Sequence, residues 1–311
     1  MRKPRFNYCM SAIILCSLAM VATLTACGKD EKKRPDVTQP YMPEESGGGG
    51  GEIGTVMMSD VKQITVFNAG DDGVNSYRIP SVVTAKDGSL LVFAEARYTS
   101  WQDKSYTDVV VKRSTDGGLT WSSMKKITAS INASAAYAFM DPLAVVDRSS
   151  GKIYLFCTRW PKGDATPTTT RAFMCVSNDN GENWTTPSDI TAQIAAPDCI
   201  VSGFGPGAGF QIASGSYANR LIVPTRQYNP TVQYTYIHTV YSTDGGNNWI
   251  TGNGIRPAGE CSMADCGNNK LSLNVRTGGA RLVGSSTDGG ITWSAPSTAN
   301  SGGLLTSTLS F

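Results

Sequence analysis

Histidine is almost missing from this chain: His238 is the only one in 311 residues. A serine or cysteine nucleophile that relies on a neighbouring imidazole therefore has one candidate base. That candidate lies in the alternating run Thr235–Tyr241, which predicts a strand, so a packed or surface role suits it better. No C-x-x-C pair occurs among the eight cysteines, and with one histidine a zinc site is excluded; no metal and no cofactor is expected. Beyond the first 26 residues no segment has helical periodicity. A surplus of either charge is also lacking. Three of the 27 basic residues and none of the 25 acidic ones fall in the first 26 positions, leaving 24 against 25, so there is no nucleic-acid footprint.

What the chain has in plenty is one eight-residue phrase. It reads STDGGLTW at Ser114–Trp121, SNDNGENW at Ser177–Trp184, STDGGNNW at Ser242–Trp249 and STDGGITW at Ser286–Trp293, at intervals of 63, 65 and 44 residues. A phrase recurring in this way marks a repeat architecture. Asp and Gly suit a tight turn between antiparallel strands, and the tryptophan suits a wedge between sheets, so the boxes are read as structural. Each is preceded by two strand patterns. The first are Ser89–Arg97, Ile153–Arg159, Arg220–Arg226 and Lys270–Arg276; the second are Asp108–Arg113, Arg171–Val176, Thr235–Tyr241 and Ala280–Ser285. Four such units spell an all-β fold, a β-propeller with four-stranded blades.

The N-terminus divides the chain further. Arg2, Lys3 and Arg5 precede an apolar stretch, Met10–Leu24, too short to span a bilayer comfortably, which predicts a secretory signal over 1–26. It ends in Leu24-Thr25-Ala26-Cys27, which resembles a bacterial lipoprotein box. That resemblance implies lipidation at Cys27 and anchoring at the outer membrane or cell surface. Residues 27–54 form a tether rich in Gly and polar residues, with five consecutive glycines, and 55–311 form the propeller domain. Cys157 and Cys175, on successive strands of one unit, are placed to pair in an oxidising compartment, and the odd total of five beyond the tether leaves at least one thiol free.

With histidine and metal chemistry set aside, carboxylates, arginines and tyrosines remain, the equipment of a glycosidase or an anionic-sugar binder. Tyr77-Arg78-Ile79-Pro80, ahead of the first hairpin and followed by the boxes, resembles the bacterial exo-α-sialidases (neuraminidases) over roughly residues 61–293. The resemblance implies a six-bladed propeller in which three arginines grip the carboxylate of sialic acid. Arg78 corresponds to the first, and a guanidinium fork matches a carboxylate where lysine does not. Arg97 is similar to a further pocket arginine. Asp103, in SWQDKSYTD, matches the acid/base that protonates the departing oxygen; Asp108 competes but is better explained as the edge of the strand DVVVKR. Met140-Asp141 resembles the pair near the N-acetyl group. Trp160 either adds an apolar wall there or packs its blade. Glu260, sixteen residues before Arg276, looks like the family's glutamate followed by the second clamp arginine. Arg159 and Arg226 end equivalent strands without a family motif and stay unassigned.

The implied mechanism retains anomeric configuration through a tyrosine nucleophile activated by the glutamate, the sialidase exception to the two-carboxylate plan. The departure lies at the C-terminal end. Eighteen residues follow Trp293, Tyr241 is the last tyrosine and sits on a blade strand, and Arg281 comes too soon after Arg276 to be the third clamp. The expectation is thus about four blades, a chain truncated at its C-terminus, and no nucleophile. Sialylated glycans are the implied substrates of an enzyme anchored to a membrane by lipid, with no nucleic acid as partner. The alternative is a non-catalytic Asp-box propeller that binds glycan or protein.

Overall fold

The computed structural model describes residues 63–298, apart from 165 and 280. The expected signal, the tether and Cys27 lie outside the described residues.

Four antiparallel units follow one another along the chain, as the repeat predicts; three have four strands and the third has five, because its inner strand is split in two. The first comprises β1 (Ser76–Thr84), β2 (Leu90–Arg97), β3 (Thr107–Ser114) and the short β4 (Lys125–Lys126). The second comprises β5 (Tyr137–Val146), β6 (Ile153–Pro161), β7 (Arg171–Ser177) and β8 (Ser188–Asp189). In the third, β9 (Ile200–Phe204) and β10 (Phe210–Gln211) both pair with β11 (Leu221–Asn229), which continues to β12 (Tyr234–Ser242) and β13 (Ile250–Thr251). The fourth runs β14 (Cys261–Asp265), β15 (Leu271–Val275), β16 (Leu282–Ser286) and β17 (Ser297–Thr298). The only α-helix among the described residues is the single turn α1 (Thr191–Ile194). The sheets do not close into a ring, so the described residues form a partial propeller.

The core lies between blades rather than inside any one sheet. Leu91 and Phe93 meet Phe139 and Leu155 between the first two blades. Phe156 and Tyr154 meet Phe204 and Leu221 between the second and third. Ile222 and Ile237 meet Leu271 and Leu273 between the third and fourth. A strand packed on both faces has no polar side, and every residue of β2 is buried, whereas β15 alternates buried with half-buried residues. Cys157 and Cys175 are free thiols in the first of these cores, which corrects the expected pairing. The register sets Cys157 opposite Phe173 and Cys175 opposite Leu155, so the two cysteines are diagonal neighbours, too far apart for a disulfide.

The Asp boxes behave as turn chemistry predicts. In each, the Ser hydroxyl donates to the box Asp at 2.7–2.8 Å and accepts a glycine N–H at 2.8–3.0 Å. These hydrogen bonds, with those from the residue before the tryptophan, hold Asp116 and Asp244 down at about 2. The tryptophan indole donates to a box carbonyl in the first, second and fourth copies. Trp249 differs: it is driven between Tyr154 and Phe156, and its N–H is left without a partner among the described residues. The second, third and fourth boxes are also gripped by the preceding blade. Arg113 donates to the Asn180 carbonyl at 2.9 Å, Tyr154 to Gly245 at 2.5 Å and Arg220 to Gly289 at 2.7 Å. Glycine is needed at that contact, because a Cβ on Gly246 would stand 2.2 Å from the Tyr154 ring.

Candidate functional site

The innermost strands of the first two blades break their ladders at the same place. Arg78 pairs with Glu95 and the next partner is Ser81 with Phe93; Met140 pairs with Thr158 and the next partner is Leu143 with Phe156. The extra residues are Ile79-Pro80 and Asp141-Pro142, and in both bulges the residue before proline is left-handed, Ile79 at φ 52° and Asp141 at φ 55°. That conformation is unfavourable for a β-branched residue and costs on the order of 1–3 kcal/mol. The bulges leave Ile79 and Asp141 without ladder partners, next to the last paired residues Arg78 and Met140. R-I-P and M-D-P are thus one structural device used in two repeats.

Around these bulges the charged side chains interlock. The Arg97 guanidinium is fully buried and donates through Nε and Nη2 to Glu95 at 2.8 and 2.5 Å, and through Nη1 to the Trp101 carbonyl at 2.6 Å. Its Nη2 also lies 2.7 Å from Asp103, whose side chain is 65% exposed. Arg78 stands 3.7 Å from the same Asp103 oxygen. The other Glu95 oxygen accepts the Asp141 N–H at 2.9 Å. The Asp141 carboxylate meets Arg226 at 2.7 Å, and Glu260 is paired with Arg276. Asp141 also feels the charges of Glu260 and Asp103, which ties the two halves together.

Burial sets the protonation pattern. It pushes the Glu95 carboxyl up to about 7, against the pull of Arg97. It raises Asp141 too, with Arg226 opposing and Glu260 and Asp103 adding to the rise. Burial alone would lower the Arg226 guanidinium, but Asp141 and Glu260 together lift it, so it keeps its charge. Asp108 is buried and accepts hydrogen bonds from Thr128 and Asn132, a structural place away from the exposed acid position.

Of the residues singled out in the sequence, Arg78, Arg97, Asp103 and Asp141 are brought into direct contact or one residue apart, whereas Glu260 and Arg276 pair with each other, near enough for the Glu260 charge to act on Asp141 and Arg226. Arg97 sits behind Asp103 rather than in the open. Met140 and Trp160 pack on each other and on Ala138, with the Lys104 ammonium 3.9 Å above the Trp160 ring. Trp160 is buried in this contact. Two residues escaped the sequence reading, Glu95 and Arg226. Glu95 stands inside FAEAR, where a carboxylate in an otherwise apolar run was the available signal. A cleft of about 480 Å³ beside His238 and Trp249 is lined by neutral side chains apart from that histidine, and it does not share the charged cluster.

An open stack of Asp-box blades, with arginines and carboxylates at the bulged ends of its inner strands, defines a β-propeller of the sialidase type. The BNR repeat-like domain family matches residues 88–303. The chain belongs to this family, that of the bacterial exo-α-sialidases with BNR-repeat (Asp-box) propellers. A sialidase of Bacteroides fragilis (strain YCH46) is 31% identical over 251 residues, covering 74% of this chain and 45% of the relative. A sialidase of Paraclostridium sordellii is 29% identical over 211 residues, 63% of this chain and 52% of the relative. Among solved structures, the Hadza microbial sialidase Hz136 superposes with a TM-score of 0.66 at 28% identity, over 73% of this chain and 48% of that one. Trypanosoma rangeli sialidase in complex with the inhibitor DANA gives 0.59 at 25% identity, over 71% and 38%. The chain spans about half the length of the curated relatives it matches.

Proposed function

We infer that the charged cluster is an exo-α-sialidase site for terminal sialic acid on glycoconjugates. The observation that carries this is the placement of an exposed carboxylate, Asp103, 3.7 Å from Arg78, with Arg97 buried behind it. A cation for the sugar's carboxylate and an acid for its glycosidic oxygen must stand side by side, because both leave the same anomeric carbon. Arg78 and Arg276 grip the carboxylate, Asp103 protonates the leaving oxygen, and Glu260 is the partner of a tyrosine nucleophile that gives net retention. A carboxylate nucleophile is disfavoured because the anomeric carbon already bears one. Tyr241 is buried on β12, so among the described residues this reading assigns recognition, the acid and the glutamate, and names no nucleophilic tyrosine. The second reading is a propeller that binds glycan without cleaving it.

Attachment through Cys27 at the outer membrane or cell surface belongs to the same reading, and it rests on the Leu24–Cys27 box. Binding of methyl α-sialoside by titration calorimetry tests the site. Arg78→Ala is expected to weaken it at least tenfold while leaving the melting profile in place. Unchanged affinity in that variant removes the assignment.

A further inference from the structure

Arginine ends the first strand pattern of every repeat, at positions 97, 159, 226 and 276. Strand parity separates them. On β2, Leu91 and Phe93 face the following blade, and Arg97 shares their parity. On β11, Ile222 faces the following blade, and Arg226 shares its parity. On β6 the residue facing the following blade is Phe156, whose parity is that of Trp160; Arg159 points the other way, stacked on Tyr137 at 4.5 Å and Phe173 at 5.1 Å. A one-residue difference in register thus gives Arg159 to the core and Arg226 to the charged cluster.

Three further features single out Arg226. It reaches Asp141 across 85 residues of chain, at 2.7 Å, and so joins the second and third blades. Room for it exists because Gly203, directly opposite, has no side chain; a Cβ there would stand 2.2–2.8 Å from the guanidinium. Its Nε is buried with no hydrogen-bond partner among the described residues, an arrangement that packing alone would not favour. Asp141 in turn sits in a left-handed bulge, held at its N–H by Glu95 and at its carboxylate by Arg226.

We propose that Arg226 is a positioning residue of this site: its ion pair with Asp141 fixes the carboxylate that accepts hydrogen bonds from the sugar. The proposal rests on the sialic-acid reading above. Asp141 is faced by Arg226 from β11, by Glu95 and Arg97 from β2, by Asp103 from the β2–β3 loop and by Glu260 ahead of β14. Three of these are carboxylates. Without Arg226 the buried Asp141 takes up a proton at higher pH and the acceptor is lost.

The experiment is calorimetric titration of the full chain with methyl α-sialoside between pH 5.5 and 8, each variant being checked by thermal melt. Arg226→Met is expected to weaken binding at least tenfold at pH 5.5 and by a smaller factor at pH 8, each relative to the unmodified protein at the same pH. Arg226→Lys restores part of the affinity. Asp141→Asn combined with Arg226→Met is expected to bind no worse than the weaker single variant, and Arg159→Met to stay within twofold. Affinity of Arg226→Met within threefold of the parent, a loss independent of pH, or additive losses in the double variant overturns the proposal. If Arg78→Ala does not weaken binding, or the parent does not bind, the sialic-acid reading itself fails and takes this inference with it.

Discussion

The buried guanidinium of Arg97 lies 2.7 Å from Asp103 and 2.5 Å from Glu95, so one side chain with no exposure holds an exposed carboxylate in front and a sealed one behind. The pair behind is a matter of fold stability. The carboxylate in front is a matter of chemistry.

Removing Arg97 leaves Glu95 buried without its cation. Arg97→Met is expected to lower unfolding free energy by about 3–5 kcal/mol, the range for breaking a buried pair from one side. Replacing both partners, Arg97→Met with Glu95→Gln, is expected to cost less than the single change. Urea denaturation of the single and double variants decides it. A double variant less stable than Arg97→Met would contradict the account.

Gly203→Ala puts a methyl group where the Arg226 guanidinium lies. The far end of a flexible side chain gives way before backbone does, so the fold is expected to survive with a loss of about 1–2 kcal/mol, in the range of modest overpacking. Sialoside affinity is expected to fall as it does for Arg226→Met. A loss of stability with full affinity would show that Arg226 still reaches Asp141.

His238 donates from Nδ1 to the Gly252 carbonyl at 2.9 Å in its neutral form, and its buried Nε2 has no partner among the described residues. Burial lowers its pKa below the ordinary 6.5. The unfolded chain then binds the proton more readily, so stability falls as pH drops below about 6.5. Glu95 and Asp141, raised in the fold, act with the opposite sign on acidification, so the histidine's part is read as a difference. As pH falls from 7.5 to 5.5, the denaturation midpoint of His238→Gln should rise relative to that of the parent at the same pH. Equal slopes would mean the imidazole charges freely in the folded state.

Release of 4-methylumbelliferone from its sialoside by the chain alone is expected to be slow or absent, since Glu260 is paired with Arg276 and Tyr241 is buried on a blade strand. Turnover comparable with a full-length relative would show that the covalent step has another nucleophile.

Much of this was legible in the chain because it depends on short-range chemistry. The box phrase sets its own turn: a serine hydroxyl, an aspartate and a left-handed glycine within five residues satisfy one another wherever they occur. The four strand pairs could be placed from it, and the motifs around Arg78, Asp103, Glu260 and Arg276 were enough to single those residues out. Arg159 and Arg226 looked alike, since both close a T-R ending. What separated them was parity against the neighbouring blade, a property of how β6 and β11 pack, and it sent one to an aromatic stack and the other to Asp141. Cys157 and Cys175 looked ready to bridge until the register set them diagonally. Local sequence determined the turns, the strands and the kinds of charge present. Only tertiary packing decided which charges meet, because contact between side chains on different sheets depends on register and on absent atoms such as the missing side chain of Gly203.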